Sequence, residues 1–514
     1  MQPISLEKSE ELPTGNFAAS DLTHPANLLQ TLEELRQTVE REGTEIFTEW
    51  RSQIHRLAFI DSSLNLAYYL ALRRHDLRPL QAALIPWGLS SLGRIEAKVL
   101  PTLDAVIATL KAVCRQQTSS QINHPPIREF LQGDRLLQQN TEHLFGETPH
   151  QRRVRIMVTL PSQAATSYEL VRDLIRQGTN CVRINCAHDQ PTQWLGMINN
   201  VRQAEIELGY TCKVMMDLAG PKPRIKYAIA PHPKHRIFRD DLLLLTHELP
   251  TTLGSQTFQA SCTIPEILPQ LKTGATVWID DGKIGAKVES ITYEGVWLRI
   301  THARIKGEKI LPDKGMNFPY TELNLAALTE KDKQDLDFIA THSHNIDIIG
   351  YSYVQTAADI QLLQQELTAR LPKNAKVPAI VAKIETPLAV NNLPELIIQA
   401  AGTQPLGIMI ARGDLAIEIG YQRLAEIQEE ILWLCEAAHI PVIWATQVLE
   451  NLVKHGMPSR AEITDAAMSE RAECVMLNKG AYVVEAVGIL DDLLTRMEAH
   501  QLKKTPQLRA LHSW

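Results

Sequence analysis

The strongest constraint on the fold is an alternation of strand and helix patterns from about residue 150 onward. Short apolar runs recur there, and each is followed by residues with helical spacing, as is typical of parallel βα units. Eight such units predict an α/β fold of the (β/α)8 TIM-barrel type, with its active site at the carboxyl ends of the strands. The predicted strands are 154–160, 181–186, 213–218, 346–354, 378–385, 407–414, 441–448 and 474–478.

The connection between the third and fourth predicted strands is more than a hundred residues long and alternates mainly with period two. Two sequences within it, 280–283 and 293–295, are typical of hairpin turns. We therefore predict an inserted β-rich lid domain at 226–315, with the catalytic barrel at 151–225 and 316–500. Such a lid would close over substrate and exclude water, although a purely structural insertion has the same pattern.

The chain has different patterns at its two ends. Residues 1–150 carry apolar residues at helical spacing in 28–50, 62–74 and 91–114, which predicts an N-terminal all-helical extension. This extension shows neither a metal-ligand nor a nucleophile pattern, so its apolar faces are best explained by packing. A last helix at 485–500 precedes a C-terminal tail at 501–514, and we expect Lys503 and Lys504 to be solvated.

Composition excludes several classes of protein. The formal net charge of -7 argues against a general nucleic-acid binder, which needs clustered Lys and Arg. The sequence has an odd number of cysteines, seven, and no Cys-x-x-Cys pair. We therefore expect the cysteines to be reduced and the protein to be cytoplasmic. No apolar run approaches the roughly 18 residues of a membrane span, and residues 1–11 resemble no signal peptide, so neither a membrane partner nor secretion is expected.

Charged residues at two predicted strand ends indicate a catalytic site. Lys383 and Glu385 point to the same side of one strand, and Asp414 ends the next. Two carboxylates about 4 Å apart would repel by about 4 kcal/mol at an effective dielectric of about 20, and a divalent cation between them turns this repulsion into attraction. The pattern therefore favours metal-assisted phosphoryl or enolate chemistry, whereas Lys383 and Glu385 alone would be better explained by a salt bridge.

From about Arg152 to His500 the sequence resembles the pyruvate kinase family. Val-Arg-Ile-Asn-Cys-Ala-His at 182–188 and Met-Asp-Leu-Ala-Gly-Pro-Lys-Pro-Arg at 216–224 are two of the matching segments. The others, in family order, are 280–282, 314–319, 328–332, 380–385, 411–415, 445–447 and 459–462.

The resemblance implies phosphoryl transfer between phosphoenolpyruvate and ADP, giving pyruvate and ATP, the glycolytic reaction. It implies that Glu385 and Asp414 bind Mg²⁺ or Mn²⁺ and that Lys383 neutralises charge on the moving phosphoryl group. Backbone N–H groups of Gly413 and Asp414 would bind the substrate carboxylate. Thr446 would lie near the methylene carbon and act through water, because a hydroxyl is a weak base.

The resemblance also assigns a nucleotide side. Arg183, as a catalytic and binding residue, and Arg224 would offer fork-shaped donors to phosphate. Asn185 and His188 would line the same side, although His188 taken alone would be better explained as a buried hydrogen-bonded histidine. Lys314, on the return from the insertion, would contact the nucleotide phosphates.

Potassium is a doubtful cofactor for this chain. In potassium-dependent members a serine and a glutamate lie at positions occupied here by Ala187 and Lys222. Alanine offers no side-chain oxygen, and an ammonium beside Asp217 would supply the charge of the ion. The monovalent-cation region implied by the resemblance comprises Asn185, Asp217, Leu218 and Lys222.

The sequence also departs from the family pattern. Leu160 replaces a glycine, and Asn478 lies where the family has a longer Ser-Gly-Glu-Thr segment. Gln355 replaces an arginine, so the strand end at 352–355 is interpreted as packing. We expect the family's C-terminal regulatory domain to be absent, and the barrel allows a homo-oligomer. Two alternatives stay open: a non-catalytic or regulatory homologue, and a metal-dependent enolpyruvate or pyruvate enzyme without nucleotide.

Overall fold

A computed structural model describes residues 22–114, 124–231, 235–248, 257–321 and 323–507. The chain forms two compact units. The first comprises the chain up to Thr141 together with Ala401–Thr403 and Trp433–Ile440. The second comprises Glu142–Ala400, Gln404–Leu432 and the chain from Pro441 onward.

The first unit is helical, as predicted. Its helices are α1 (Pro25–Trp50), α2 (Ile60–Arg73), α3 (Arg78–Leu84), α4 (Val99–Val113) and α5 (Ile127–Phe145), the last of which continues into the second unit. Leu28 and Leu32 of α1 and Leu66 of α2 are fully buried, so the apolar spacing seen in the sequence forms a core. His439 is buried here between Ser62 Oγ, 2.9 Å from Nδ1, and the Ala97 carbonyl, 3.0 Å from Nε2.

The second unit begins with three parallel strands joined by helices. The strands are β1 (Arg155–Thr159), β2 (Cys181–Asn185) and β3 (Lys213–Asp217), and the connecting helices are α6 (Tyr168–Arg176) and α7 (Pro191–Leu208). Proline at the first position of α7 suits a helix start, because proline lacks the N–H that would be unpaired there.

A separate sheet of seven strands follows β3 along the chain. Its strands are β4 (Ile225–Ile229), β5 (Leu242–Thr246), β6 (Phe258–Cys262), β7 (Thr276–Ile279), β8 (Ile284–Thr292), β9 (Gly295–His302) and β10 (Met316–Asn317). They lie in the order β10-β7-β8-β9-β5-β6-β4, with β5 and β6 parallel and the other pairs antiparallel. The sheet has its own core of buried side chains, including Leu243, Phe258 and Leu298.

Five further strands complete the barrel. They are β11 (Ile348–Tyr351), β12 (Ala379–Ile384), β13 (Leu406–Ala411), β14 (Val442–Ala445) and β15 (Cys474–Leu477). The helices of this part are α8 (Glu330–Thr341), α9 (Ala357–Arg370), α10 (Pro387–Asn391), α11 (Leu393–Ala401), α12 (Arg412–Ile419), α13 (Tyr421–Ala437), α14 (Glu450–His455), α15 (Arg460–Met468) and α16 (Val483–Glu498). The eight strands close in the order β1-β15-β14-β13-β12-β11-β3-β2, which confirms the predicted TIM barrel.

The fourth, sixth and seventh predicted strands each ended three residues too late. The fourth was predicted to end at 354 and the seventh at 448, but β11 ends at Tyr351 and β14 at Ala445. The sixth predicted strand ran to Asp414, but β13 ends at Ala411 and the chain enters α12 at Arg412. Asp414 therefore lies in the first turn of a helix, where a carboxylate is favoured by the helix dipole.

The inside of the barrel is apolar. Met157, Met215 and Met409 lie in one buried cluster with Leu144 and Phe145 from the end of α5. This packing leaves polar chemistry to the strand ends.

The C-terminal region is more structured than the sequence indicated. Strands β16 (Gln501–Leu502) and β17 (Thr505–Pro506) form a small antiparallel hairpin. Lys503 was expected to be solvated, but it is buried at the turn, with Nζ 2.6 Å from Glu473 Oε1. The buried carboxylate of Glu473 explains the difference, because it requires a cationic partner.

Two further findings concern the sequence-based exclusions. All seven cysteines are unpaired, and all except Cys114 are buried. Among the helices of the described ranges, none combines the length and apolar character that crossing a bilayer requires.

Candidate active site

Lys383 is the central charged residue at the carboxyl ends of the barrel strands. It lies on β12 and is 8% exposed. Its Nζ is 2.6 Å from Ser352 Oγ, 3.2 Å from Glu385 Oε1 and 3.4 Å from Asp217 Oδ2. Burial alone would lower the pKa of Lys383, but Asp217 and Glu385 outweigh burial and raise it. Lys383 therefore keeps its positive charge.

Asp217, at the end of β3, joins Lys383 to Arg183. Arg183 Nη2 lies 2.5 Å from Asp217 Oδ2, and Arg183 Nη1 donates to Thr159 Oγ1 at 3.0 Å. Burial opposes ionisation of Asp217, but Lys383 and Arg183 outweigh it and hold the pKa of Asp217 below its usual value. Strands β2, β3 and β12 thus supply one linked set of charges.

The two predicted metal carboxylates lie in the same charged cluster. Glu385 is 2% exposed, and its Oε2 accepts a hydrogen bond from the Tyr353 N–H at 2.6 Å. Burial raises the pKa of Glu385, against the attraction of Lys383 and with the repulsion of Asp414. Asp414 has the opposite shift, because Lys222 outweighs burial and lowers the pKa of Asp414.

A single oxygen, Asp414 Oδ1, accepts hydrogen bonds from three segments of the chain. Lys222 Nζ lies at 2.5 Å, Asn317 Nδ2 at 3.5 Å and the Tyr353 hydroxyl at 3.5 Å. The sequence analysis placed the ammonium of Lys222 beside Asp217, and this was wrong. Asp217 is instead paired with Arg183 and Lys383. Lys222 is paired with Asp414 and balances the negative charge of that carboxylate.

Thr446 lies just after β14 and contacts the start of α12. It has a left-handed backbone, with φ of 66°, and its Oγ1 accepts a hydrogen bond from the Gly413 N–H at 2.7 Å. Arg412 donates to the carbonyls of Ala445 and Thr446 at 3.0 and 2.7 Å and pairs with Asp465. These contacts fix the Thr446 turn. They also mean that the Gly413 N–H, predicted to bind substrate carboxylate, donates to Thr446.

Positive charges gather around His188. Burial lowers the pKa of His188, Lys479, Arg224 and Arg183 lower it further, and Asp189 opposes them. The imidazole is therefore neutral near pH 7 and lies among cations, an arrangement suited to an anionic group.

The remaining predicted nucleotide residues have other partners. Lys314 Nζ is 3.0 Å from Asp280 Oδ1, within the seven-stranded sheet region. Arg224 Nη1 donates to the Asp313 carbonyl at 2.9 Å. Asn185 Oδ1 accepts from the Ala187 N–H at 3.1 Å and so shapes the turn after β2.

Comparison with known proteins agrees with this architecture. The family described as pyruvate kinase, barrel domain, matches residues 151–487. The chain belongs to the pyruvate kinase family. "Pyruvate kinase 2" of Synechocystis sp. is 30% identical over 367 residues, which cover 69% of this chain and 58% of that protein. "Pyruvate kinase" of Agrobacterium vitis is 30% identical over 362 residues, covering 68% of this chain and 70% of that protein. The chain thus spans less than two thirds of the Synechocystis relative.

The sequence reasoning missed three contributors to this pyruvate kinase family site. The strand end at 352–355 was interpreted as packing, but Ser352 contacts Lys383 and Tyr353 contacts both candidate metal carboxylates. Their position directly after β11, at the same barrel end as Lys383, was a usable signal. Lys479 follows β15 in the same way, but the shortened family segment around it hid its correspondence.

Proposed function

We propose that this chain transfers a phosphoryl group between phosphoenolpyruvate and ADP with Mg²⁺ or Mn²⁺, giving pyruvate and ATP. The observation that carries the proposal is the buried ammonium of Lys383, within 3.4 Å of both Asp217 and Glu385. Phosphoryl transfer has a loose transition state with negative charge spread over the equatorial oxygens. A positioned cation shielded from water stabilises this charge most effectively.

The donor set at Glu385 and Asp414 fits Mg²⁺ or Mn²⁺. Magnesium is commonly held by one or two carboxylates, with water and substrate phosphate completing its shell. Within the ranges that the structure describes, no group of three or more His, Cys, Asp or Glu side chains could hold a metal ion, so a closed structural zinc site has no support there. When bound, the ion would supply positive charge next to the substrate oxygens.

The protein's own residues would bind and orient the reacting groups. Lys383 keeps its proton and would neutralise the transferred group. Arg412 fixes the turn at Thr446. The Thr446 hydroxyl would hold a water that delivers a proton to the methylene carbon. Glu385 and Asp414 would hold the metal ion.

The nucleotide would bind on the side of His188. Arg183, Arg224 and Lys479 add positive charge around this residue, which supports phosphate binding. Asn185 and Lys314 would complete the site, and the seven-stranded sheet would act as a lid. A lid role is supported by Asn317 of β10, which donates to Glu418 Oε1 of α12 at 3.0 Å.

We also propose that Lys222 replaces K⁺. Its ammonium lies within the buried charge cluster, 2.5 Å from Asp414 Oδ1. A fixed cation there would reduce the need for a monovalent ion.

The test is an assay of the purified chain with phosphoenolpyruvate, ADP and Mg²⁺, coupled to the reduction of pyruvate. We expect pyruvate to form only when all three are present. Pyruvate formation without ADP would favour an enolpyruvate enzyme that uses no nucleotide, and absence of turnover despite binding of both ligands would favour a non-catalytic homologue.

A further inference from the structure

Tyr353 contacts both candidate metal carboxylates from one position. It lies two residues after the end of β11, and its backbone N–H donates to Glu385 Oε2 at 2.6 Å. Its side-chain hydroxyl lies 3.5 Å from Asp414 Oδ1. The two ends of one residue therefore span the distance between β12 and α12.

The backbone of Tyr353 is held in an unfavourable conformation. Its φ is 57°, in the left-handed region that non-glycine residues rarely adopt. Such a residue costs on the order of 1–3 kcal/mol and persists only where its surroundings impose it. In Tyr353 this left-handed turn occurs together with the N–H contact to Glu385 and the hydroxyl contact to Asp414.

The residue preceding Tyr353 is fixed by the same site. Ser352 is 2% exposed, its hydroxyl donates to the Leu218 carbonyl at 2.7 Å, and it accepts from Lys383 Nζ at 2.6 Å. On Asp414, the phenol acts together with Lys222 and Asn317. The phenol is a neutral donor, so it can orient this carboxylate without adding charge.

We propose that Tyr353 is a positioning residue that orients Glu385 and Asp414 for a divalent cation, and that its hydroxyl sets the affinity for the ion. This inference rests on the metal site of the proposed function. Groups that hydrogen-bond to metal ligands typically alter metal affinity about 10–100-fold when removed. Two other donors stay on Asp414 Oδ1 after the phenol oxygen is removed, so we expect an effect near the lower limit.

The experiment measures Mn²⁺ binding directly, by electron paramagnetic resonance of the free ion, without substrates. Tyr353→Phe removes only the hydroxyl and retains the N–H contact to Glu385. Tyr351→Phe is the matched control, because Tyr351 is buried two residues away and its hydroxyl donates to the Asp359 carbonyl at 3.2 Å. Thermal unfolding of both variants reports any general loss of packing.

We expect the Mn²⁺ dissociation constant to rise about 10-fold in Tyr353→Phe and to stay within 2-fold of wild type in Tyr351→Phe. Equal Mn²⁺ affinity of wild type and Tyr353→Phe would overturn this inference and leave the proposed function intact. Equal weakening in both variants would also overturn it, since loss of packing would then explain the effect. Failure of the wild type to bind Mn²⁺ would overturn the metal assignment of the proposed function, and this inference with it.

Discussion

The ammonium of Lys222 lies 2.5 Å from Asp414 Oδ1, and both side chains are largely buried. This pair joins the loop after β3 to the first turn of α12. It places a permanent positive charge at one of the two candidate metal carboxylates, and it explains why the pKa of Asp414 is lowered whereas burial raises the pKa of Glu385.

The first prediction is that turnover does not need K⁺, because Lys222 supplies the local positive charge. Wild type assayed with an organic monovalent cation in place of K⁺ should keep its rate, whereas Lys222→Glu should be slow and should be stimulated by K⁺. Lys226→Glu is the control, because this substitution makes the same charge change at an exposed position of β4. Strong K⁺ stimulation of the wild type would contradict the role of Lys222.

The second prediction concerns Lys383. Lys383→Met should lower kcat by about 100-fold or more, because a preorganised charge is worth most in the transition state. Mn²⁺ and pyruvate binding should still be measurable by titration. Lys376→Met, which removes a half-exposed lysine paired with Asp347, should change neither quantity. A proportional loss of pyruvate affinity and turnover in Lys383→Met would exclude a mainly transition-state role.

The third prediction is that Glu385→Gln raises the Mg²⁺ concentration needed for half-maximal activity. A neutral amide is a poorer ligand than a carboxylate for a hard cation. The amide can still accept the Tyr353 N–H, so the fold should be preserved. A Mg²⁺ titration that coincides with that of the wild type would remove Glu385 from the metal site.

The barrel could be predicted from the sequence because parallel strands buried on both faces are continuous apolar runs, and helical spacing separates them. Lys383, Glu385 and Asp217 could be expected together for the same reason, since barrel strands bring their carboxyl ends to one edge. Neither inference needed side-chain detail.

The partners of individual charges could not be predicted in this way. Lys222 and Asp217 are five positions apart in the sequence, yet Lys222 pairs with Asp414 and Asp217 with Arg183. The choice depends on the direction of loops outside the strands, where periodicity carries no information. The position of Tyr353 after β11 was visible in the sequence, but its contact with Glu385 depends on a left-handed turn that leaves no pattern there.

The fourth prediction is that Glu470 makes the folded state less stable as pH rises. Burial raises the pKa of Glu470 to about 8, against the attraction of Arg153, so the folded protein keeps a proton that the unfolded chain has lost. Stability from this group is complete below about pH 4.5 and falls by about 1.4 kcal/mol per pH unit until about pH 8.

Glu470→Gln, which mimics the protonated carboxyl, should therefore match wild type at pH 5 and be more stable than wild type at pH 8. Urea unfolding at both pH values measures this difference. Glu430→Gln, at an exposed position of α13, should show no such dependence on pH. A constant difference between Glu470→Gln and wild type across this range would show that Glu470 is ionised in the folded protein.

The last prediction concerns the bottom of the barrel, where Leu144 packs against Gly407. A Cβ atom added at Gly407 would lie 2.4 Å from Leu144 Cδ2, closer than carbon atoms can approach. Gly407→Ala should therefore destabilise the protein by about 1–3 kcal/mol through overpacking, and Leu144→Ala by about 2–5 kcal/mol through a cavity. In the double variant the new methyl group enters the space that Leu144 leaves, so the combined loss of stability should be smaller than the sum of the two single losses by about 1 kcal/mol or more.

Urea unfolding of the wild type, the two single variants and the double variant gives this coupling energy. Gly93→Ala is the control, because its added Cβ would have no neighbour within 3.4 Å. Strict additivity would mean that the end of α5 does not pack into the barrel as the structure has it.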